Sequence, residues 1–178
     1  MHSITVENLA FSFPTHVAAA KYDDWDHANK HWKARQGSKK VDIVAIEPAI
    51  QPTTTWLIEA KDFRVITVPP NASNLGSLPH TVAQKVTDTL LGLADAATKA
   101  QVVSEKAHAR AAVSTISRRV VLHLEPHPPA GVHTALFPTN FTALVYQALK
   151  PLVASVDPRP LVLNIANTPQ AGVPWQVS

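Results

Sequence analysis

The chain contains no cysteine. That excludes disulfides, thiolate metal sites and cysteine nucleophiles, so any metal would be held by oxygen or imidazole. Its five glycines are scattered singly, and no glycine-rich loop is present to cradle a nucleotide phosphate or a dinucleotide. Ser114, Ser117 and the other hydroxyl residues lack the G-x-S-x-G surroundings of a nucleophile elbow. No apolar run approaches the roughly 18–20 residues of a membrane span. The opening M-H-S-I-T-V-E-N-L lacks the basic region and long apolar core of a signal peptide. The expectation is a cytoplasmic protein with no membrane partner. Charge of one sign is scarce too. Sixteen Lys and Arg against thirteen Asp and Glu leave a formal net charge of +3. Such a balance permits nucleic-acid binding without demanding it.

What is present suits one folded unit. The chain has 178 residues, 46% of them hydrophobic, enough for a single domain over 1–178 with a sizeable core. Basic residues gather at Lys30, Lys33, Arg35, Lys39 and Lys40; alone, such a cluster reads as a solvated helix end. Val17, Ala20, Trp25, Ala28 and Trp32 recur at helical spacing, so a helix is expected over 15–36, stopped by Gly37. Strands follow over 41–46 and 54–62, joined as a loose antiparallel hairpin around Pro48 and Pro52, and 65–68 extends the strand pattern. Residues 69–79 read as a loop. A helix should start near Pro79 and carry Val82, Val86, Leu90 and Leu93 on one side; helical pattern resumes over 105–116 after a break. A core strand over 120–124, a proline-rich loop over 126–138, a helix capped by Thr139 or Asn140 and a last strand over 161–165 complete the order. The tail is irregular, with Trp175 packing back. The fold class is α/β, a central mixed sheet flanked by helices.

The residues that point to chemistry lie in the hairpin. V-D-I-V-A-I carries Asp42, and W-L-I-E-A-K-D-F-R carries Glu59 and Lys61. Charges are costly in strands that are apolar on both faces. A carboxylate in each of two neighbouring strands therefore has a reason to converge, and a divalent cation supplies one. Glu59 and Lys61 share a strand face because side chains repeat every second residue. Two such carboxylates, the Ala60 carbonyl between the charged side chains, and water can hold Mg²⁺, with Mn²⁺ as a substitute. Lys61 can then orient a water or stabilise charge on a phosphate. Asp24, ahead of Asp23, is the candidate for a further carboxylate.

Asp42, a spacer and then Glu59-Ala60-Lys61 resemble the PD-(D/E)xK, or restriction-endonuclease-like, nuclease superfamily, and the order of elements is similar to its αβββαβ core. The resemblance covers 21–124 in outline and 40–64 at motif level. It implies a Mg²⁺-dependent phosphodiesterase, an endo- or exonuclease acting on DNA more often than RNA. It further implies Asp42 and Glu59 as metal ligands, Lys61 as the catalytic lysine, an acidic residue on the first helix matching Asp23 or Asp24, and Gln84 as an auxiliary contact on the following helix. The residue before Asp42 is Val41, where proline is common in the family. No tyrosine follows Gln84 on its helix, unlike the recombination-nuclease subtype. No separate target-recognition segment is visible, so sequence-specific cutting would call for a homodimer or a protein partner. The alternative function is a non-catalytic nucleic-acid-binding or assembly module on the same fold. An unrelated α/β protein would instead leave Asp42, Glu59 and Lys61 apart in space.

Other motifs read more simply. His123, Glu125, His127 and His133 include zinc-binding types, but the prolines between them prevent a helical H-E-x-x-H arrangement, and strand-end histidines are the ordinary reading. Arg118 and Arg119 suit a positive helix end as well as a phosphate contact. Trp25 and Trp32 share a helical face and suit core packing better than base stacking.

Overall fold

Strand side chains alternate between faces, and the central strands here bury both. The computed structural model describes residues 1–32, 37–48, 53–64, 72–126 and 140–178. The chain opens with a hairpin of β1 (His2–Val6) and β2 (Leu9–Phe13). Glu7 lies at its tip, in a left-handed conformation with φ of 53°. Strands β3 (Ala18–Lys21), β4 (Ile43–Glu47) and β5 (Thr54–Asp62) follow, each antiparallel to the next. Strands β6 (Ser117–Glu125) and β7 (Leu161–Leu163) add in parallel. The result is a five-stranded mixed sheet in the order β3-β4-β5-β6-β7. Parallel neighbours need long crossovers. Helices α1 (Ala72–Lys99) and α2 (Val103–Val113) connect β5 to β6, and α3 (Phe141–Val153) lies between β6 and β7.

The helices share one face of this sheet. Val44, Leu57 and Leu122 pack with Val82, Val86 and Leu149. The other face is covered by a second, three-stranded sheet in which the C-terminal β8 (Gln176–Val177) pairs with β2. There Ile43, Trp56 and Ile58 meet Phe11, Phe13 and Trp175. The molecule is a single-domain α/β fold whose mixed sheet has helices on one side and a small sheet on the other.

Three expectations differ from this. The helix expected over 15–36 is instead strand β3, a 3-10 turn at Tyr22–Asp24 and a π-helical turn at Ala28–Trp32. Alanines suit either state, and Ala18–Lys21 gains a full antiparallel register with Ile43–Ile46, so pairing overrides propensity. Helix α1 begins two turns before Pro79, which lies inside it. Leu75 and Leu78 are buried on that extension, and their burial offsets the missing proline donor. The irregular tail supplies β8. The strand over 65–68, Pro52, Lys33, Arg35, His127, His133 and most of the loop over 126–138 lie outside the described residues.

Candidate active site

Asp42 directly precedes β4, and Glu59 lies in the second half of β5, one strand over. The β4–β5 ladder ends at Ile43 and Ile58, so Ala60 has no ladder partner on that side. Its N–H instead donates to Asp42 Oδ2 at 2.8 Å. Within a strand residue, N–H and C=O point to the same side; the Ala60 carbonyl therefore faces the same gap. Leu57, Glu59 and Lys61 alternate onto the helical face. Helix α1 fixes the approach to Asp42: Thr89, fully buried, accepts the Val41 N–H at 3.0 Å, and Asp88 accepts the Lys39 N–H at 2.9 Å.

The two carboxylates meet one ammonium. Lys85 Nζ of α1 donates to both oxygens of Glu59, at 2.7 and 2.8 Å, and lies 3.6 Å from Asp42 Oδ1. Lys61 Nζ lies 3.1 Å from Glu59 Oε1 and 3.2 Å from Glu7 Oε1. Glu7 reaches this point from the β1–β2 tip, and its other oxygen accepts the Asp62 N–H at 2.6 Å. Asp42, Glu59 and Lys61 thus converge, with Lys85 and Glu7 between and beside them.

Electrostatics follow from burial. Glu59 is 1% exposed, and its pKa is pushed up to about 7, first by desolvation and then by Asp42, against the pull of Lys61 and Lys85. Burial alone would lower the Lys61 pKa, but Glu59, Asp42 and Glu7 raise it overall. Lys61 is an ammonium. Asp23 is raised by burial first and by Asp42 and Asp24, against Lys21 and Lys40; its Oδ1 is buried without a hydrogen-bond partner. Asp24 points outward, 3.5 Å from Lys21. Of the two aspartates, Asp23 is the half-buried one and the one that the Asp42 charge perturbs, and it lies on a 3-10 turn rather than a helix. Gln84 points away from the carboxylates and donates to the Gly37 carbonyl at 3.3 Å; its neighbour Lys85 takes the inward position. Lys85 and Glu7 were missed in the sequence.

Among the described residues no group of three or more His, Asp or Glu side chains is spaced to hold a metal ion. A hard divalent cation needs oxygens, however, and they need not all be side chains. Asp42 Oδ1 and Glu59 already flank a single positive charge, the Ala60 carbonyl faces the same gap, and Asp23 Oδ1 lacks a partner. Asp42, Glu59 and the Ala60 carbonyl are thus the oxygens that could take a hard cation, at the place Lys85 Nζ holds. The zinc-type pair resolves as an ordinary contact: His123, fully buried, is bonded through Nε2 to Glu125 Oε1 at 2.9 Å. That oxygen also accepts the Ile165 N–H.

No family model matches the chain, and no solved structure matches it. A cysteine–tRNA ligase of Neisseria meningitidis serogroup A / serotype 4A (strain DSM 15465 / Z2491) is 30% identical over 215 aligned residues. The alignment takes in all of this chain but only 30% of the ligase's length. No helix among the described residues is long and apolar enough to cross a membrane.

Proposed function

We propose that the chain is a metal-dependent phosphodiesterase of the PD-(D/E)xK type, cutting nucleic acid, DNA in preference to RNA. The observation that carries this reading is the meeting of Asp42 and Glu59 on one cationic position, with Lys61 on the same carboxylate. The sequence of antiparallel β3-β4-β5, then helix, then parallel β6 supports the restriction-endonuclease-like core. Asp42, Glu59 and the Ala60 carbonyl would hold Mg²⁺, with Asp23 as the added carboxylate. When bound, Mg²⁺ supplies Lewis acidity at the scissile phosphate and a more acidic water. The Ala60 N–H fixes Asp42 Oδ2 and leaves Oδ1 for the ion. Lys61, held charged by three carboxylates, is suited to donate to a phosphate oxygen and stabilise its developing negative charge rather than to act as a base.

The test is incubation of folded protein with duplex DNA, single-stranded DNA and structured RNA, tRNA included, with Mg²⁺ or Mn²⁺ against EDTA. Metal-dependent cleavage, reduced at least about 100-fold in Asp42→Asn, is the expected result. Binding of any of these nucleic acids by the wild type without turnover would contradict it.

A second reading draws on the comparison. The matching relative is named for a tRNA substrate, and this chain corresponds to a minority of it. A non-catalytic RNA-binding or assembly module on this fold would keep Lys85 as a permanent counter-ion. It would bind tRNA alike in Mg²⁺ and in EDTA at matched ionic strength.

A further inference from the structure

Lys85 projects from the sheet-facing stripe of α1, where Val82, Val86 and Thr89 are buried. A lysine there is costly unless its charge is met. Both Glu59 oxygens, at 2.7 and 2.8 Å, and Asp42 Oδ1, at 3.6 Å, meet it. These are the groups assigned above to the metal, so Lys85 and a divalent cation compete for one place. The two differ in accessibility. The Lys85 side chain is 19% exposed and the Glu59 side chain 1%, so the lysine has a way out toward solvent and the carboxylate has none.

Charge decides what such an exchange does. With Glu59 ionised, the carboxylates of Glu7, Asp42 and Glu59 outnumber the ammoniums of Lys61 and Lys85. A divalent cation adds two positive charges, so the loaded cluster is more attractive to a nucleic-acid backbone than the metal-free one.

We infer that Lys85 is an exchangeable internal counter-ion: it holds Asp42 and Glu59 together without metal, and yields its place when a divalent cation binds. It thereby positions the carboxylates for loading and ties attraction of the phosphodiester to the loaded state. This rests on the metal-centre reading proposed above. The lysine head group is flexible and its long stem keeps apolar contact wherever the charge goes, so release leaves the core packing of α1 in place.

The experiment is Mg²⁺ calorimetry and thermal unfolding, with and without Mg²⁺, on the wild type, Lys85→Gln and Lys85→Arg. Lys85→Gln is expected to bind Mg²⁺ roughly tenfold tighter or more, the ratio that about 1.4 kcal/mol of removed competition gives. Its metal-free melting temperature should fall below wild type and recover in Mg²⁺. Lys85→Arg, whose fork grips carboxylates in two-point fashion, is expected to bind Mg²⁺ more weakly than wild type with its metal-free melting temperature kept. If Lys85→Gln fails to fold without metal, Lys85→Arg decides: Mg²⁺ binding as tight as wild type overturns the exchange. Mg²⁺ binding by wild type that Lys85→Gln leaves unchanged or weakens overturns the exchange alone. No Mg²⁺ binding by either protein overturns the metal centre as well.

Discussion

Glu59 sits between two ammoniums and a second carboxylate with almost no access to water, and its behaviour with pH follows. Its folded-state pKa of about 7 lies above the ordinary 4.5. Between those values the folded, metal-free protein keeps a proton that the unfolded chain gives up. The stability this group contributes is fully present below about pH 4.5 and lost as pH rises through about 7. If Glu59 binds Mg²⁺ as proposed, the cation must displace the same proton, and Mg²⁺ affinity should fall as pH drops below about 7. Calorimetry in buffers of different ionisation enthalpy should show close to one proton released per Mg²⁺ at about pH 6 and nearly none at about pH 8. Asp42, Glu59 and Lys61 stood out in the sequence because charges are rare in apolar strands and the two-residue period assigns them faces. Lys85 did not, because one lysine among apolar helix positions reads as a solvated edge, although it directly precedes Val86 of the stripe. Glu7 reads as an ordinary polar turn residue; only the docking of its hairpin on Asp62 brings it to Lys61.

At the scale of elements, the misread segment over 15–36 is held by partners distant in the chain. Glu105, in the first turn of α2, accepts the N–H groups of Asp26 at 2.8 Å and His27 at 3.1 Å. It caps a helical turn to which it does not belong. Glu105→Ala should cost about 1 kcal/mol, as loss of an N-terminal cap does, and lower the melting temperature by about 2–4 °C. Thermal unfolding followed by circular dichroism measures this; an unchanged melting temperature would mean the turn is held by its other contacts, Trp25 packing and the His27–Asp95 hydrogen bond. No local pattern announces a cap supplied from 79 residues away, which is why the sequence read one long helix there. The β4–β5 hairpin and the helix break before Val103 were legible because proline bracketing and loss of helical period are local signals. The start of α1 was not, since Pro79 suits a first turn and only the burial of Leu75 and Leu78 carries the helix further back.

For the whole molecule, the sheet is a shared wall between two cores. On the side away from the helices, Trp175 packs on Phe13 and Trp56, with ring centroids 5.7 and 5.2 Å apart. Trp175→Ala should cost about 3–5 kcal/mol. Loosening of the small sheet would also free Glu7 from Lys61, so hydrogen exchange in β1 and β2 should accelerate before that in β5 and β6. The helical layer and the mixed sheet, β3 apart, could be read from periodicity; the second sheet could not, because its last strand is two residues long and its partners lie at opposite ends of the chain. In the function proposed, these layers meet to build a catalytic lysine beside a metal-binding pair. The most direct measurement of this is cleavage of labelled DNA and RNA in Mg²⁺ by the wild type and by Lys61→Ala, with thermal unfolding of both. Cleavage by the wild type and at least about a 100-fold loss in a variant that still folds are expected; equal cleavage by the two proteins would rule out Lys61 as the catalytic lysine.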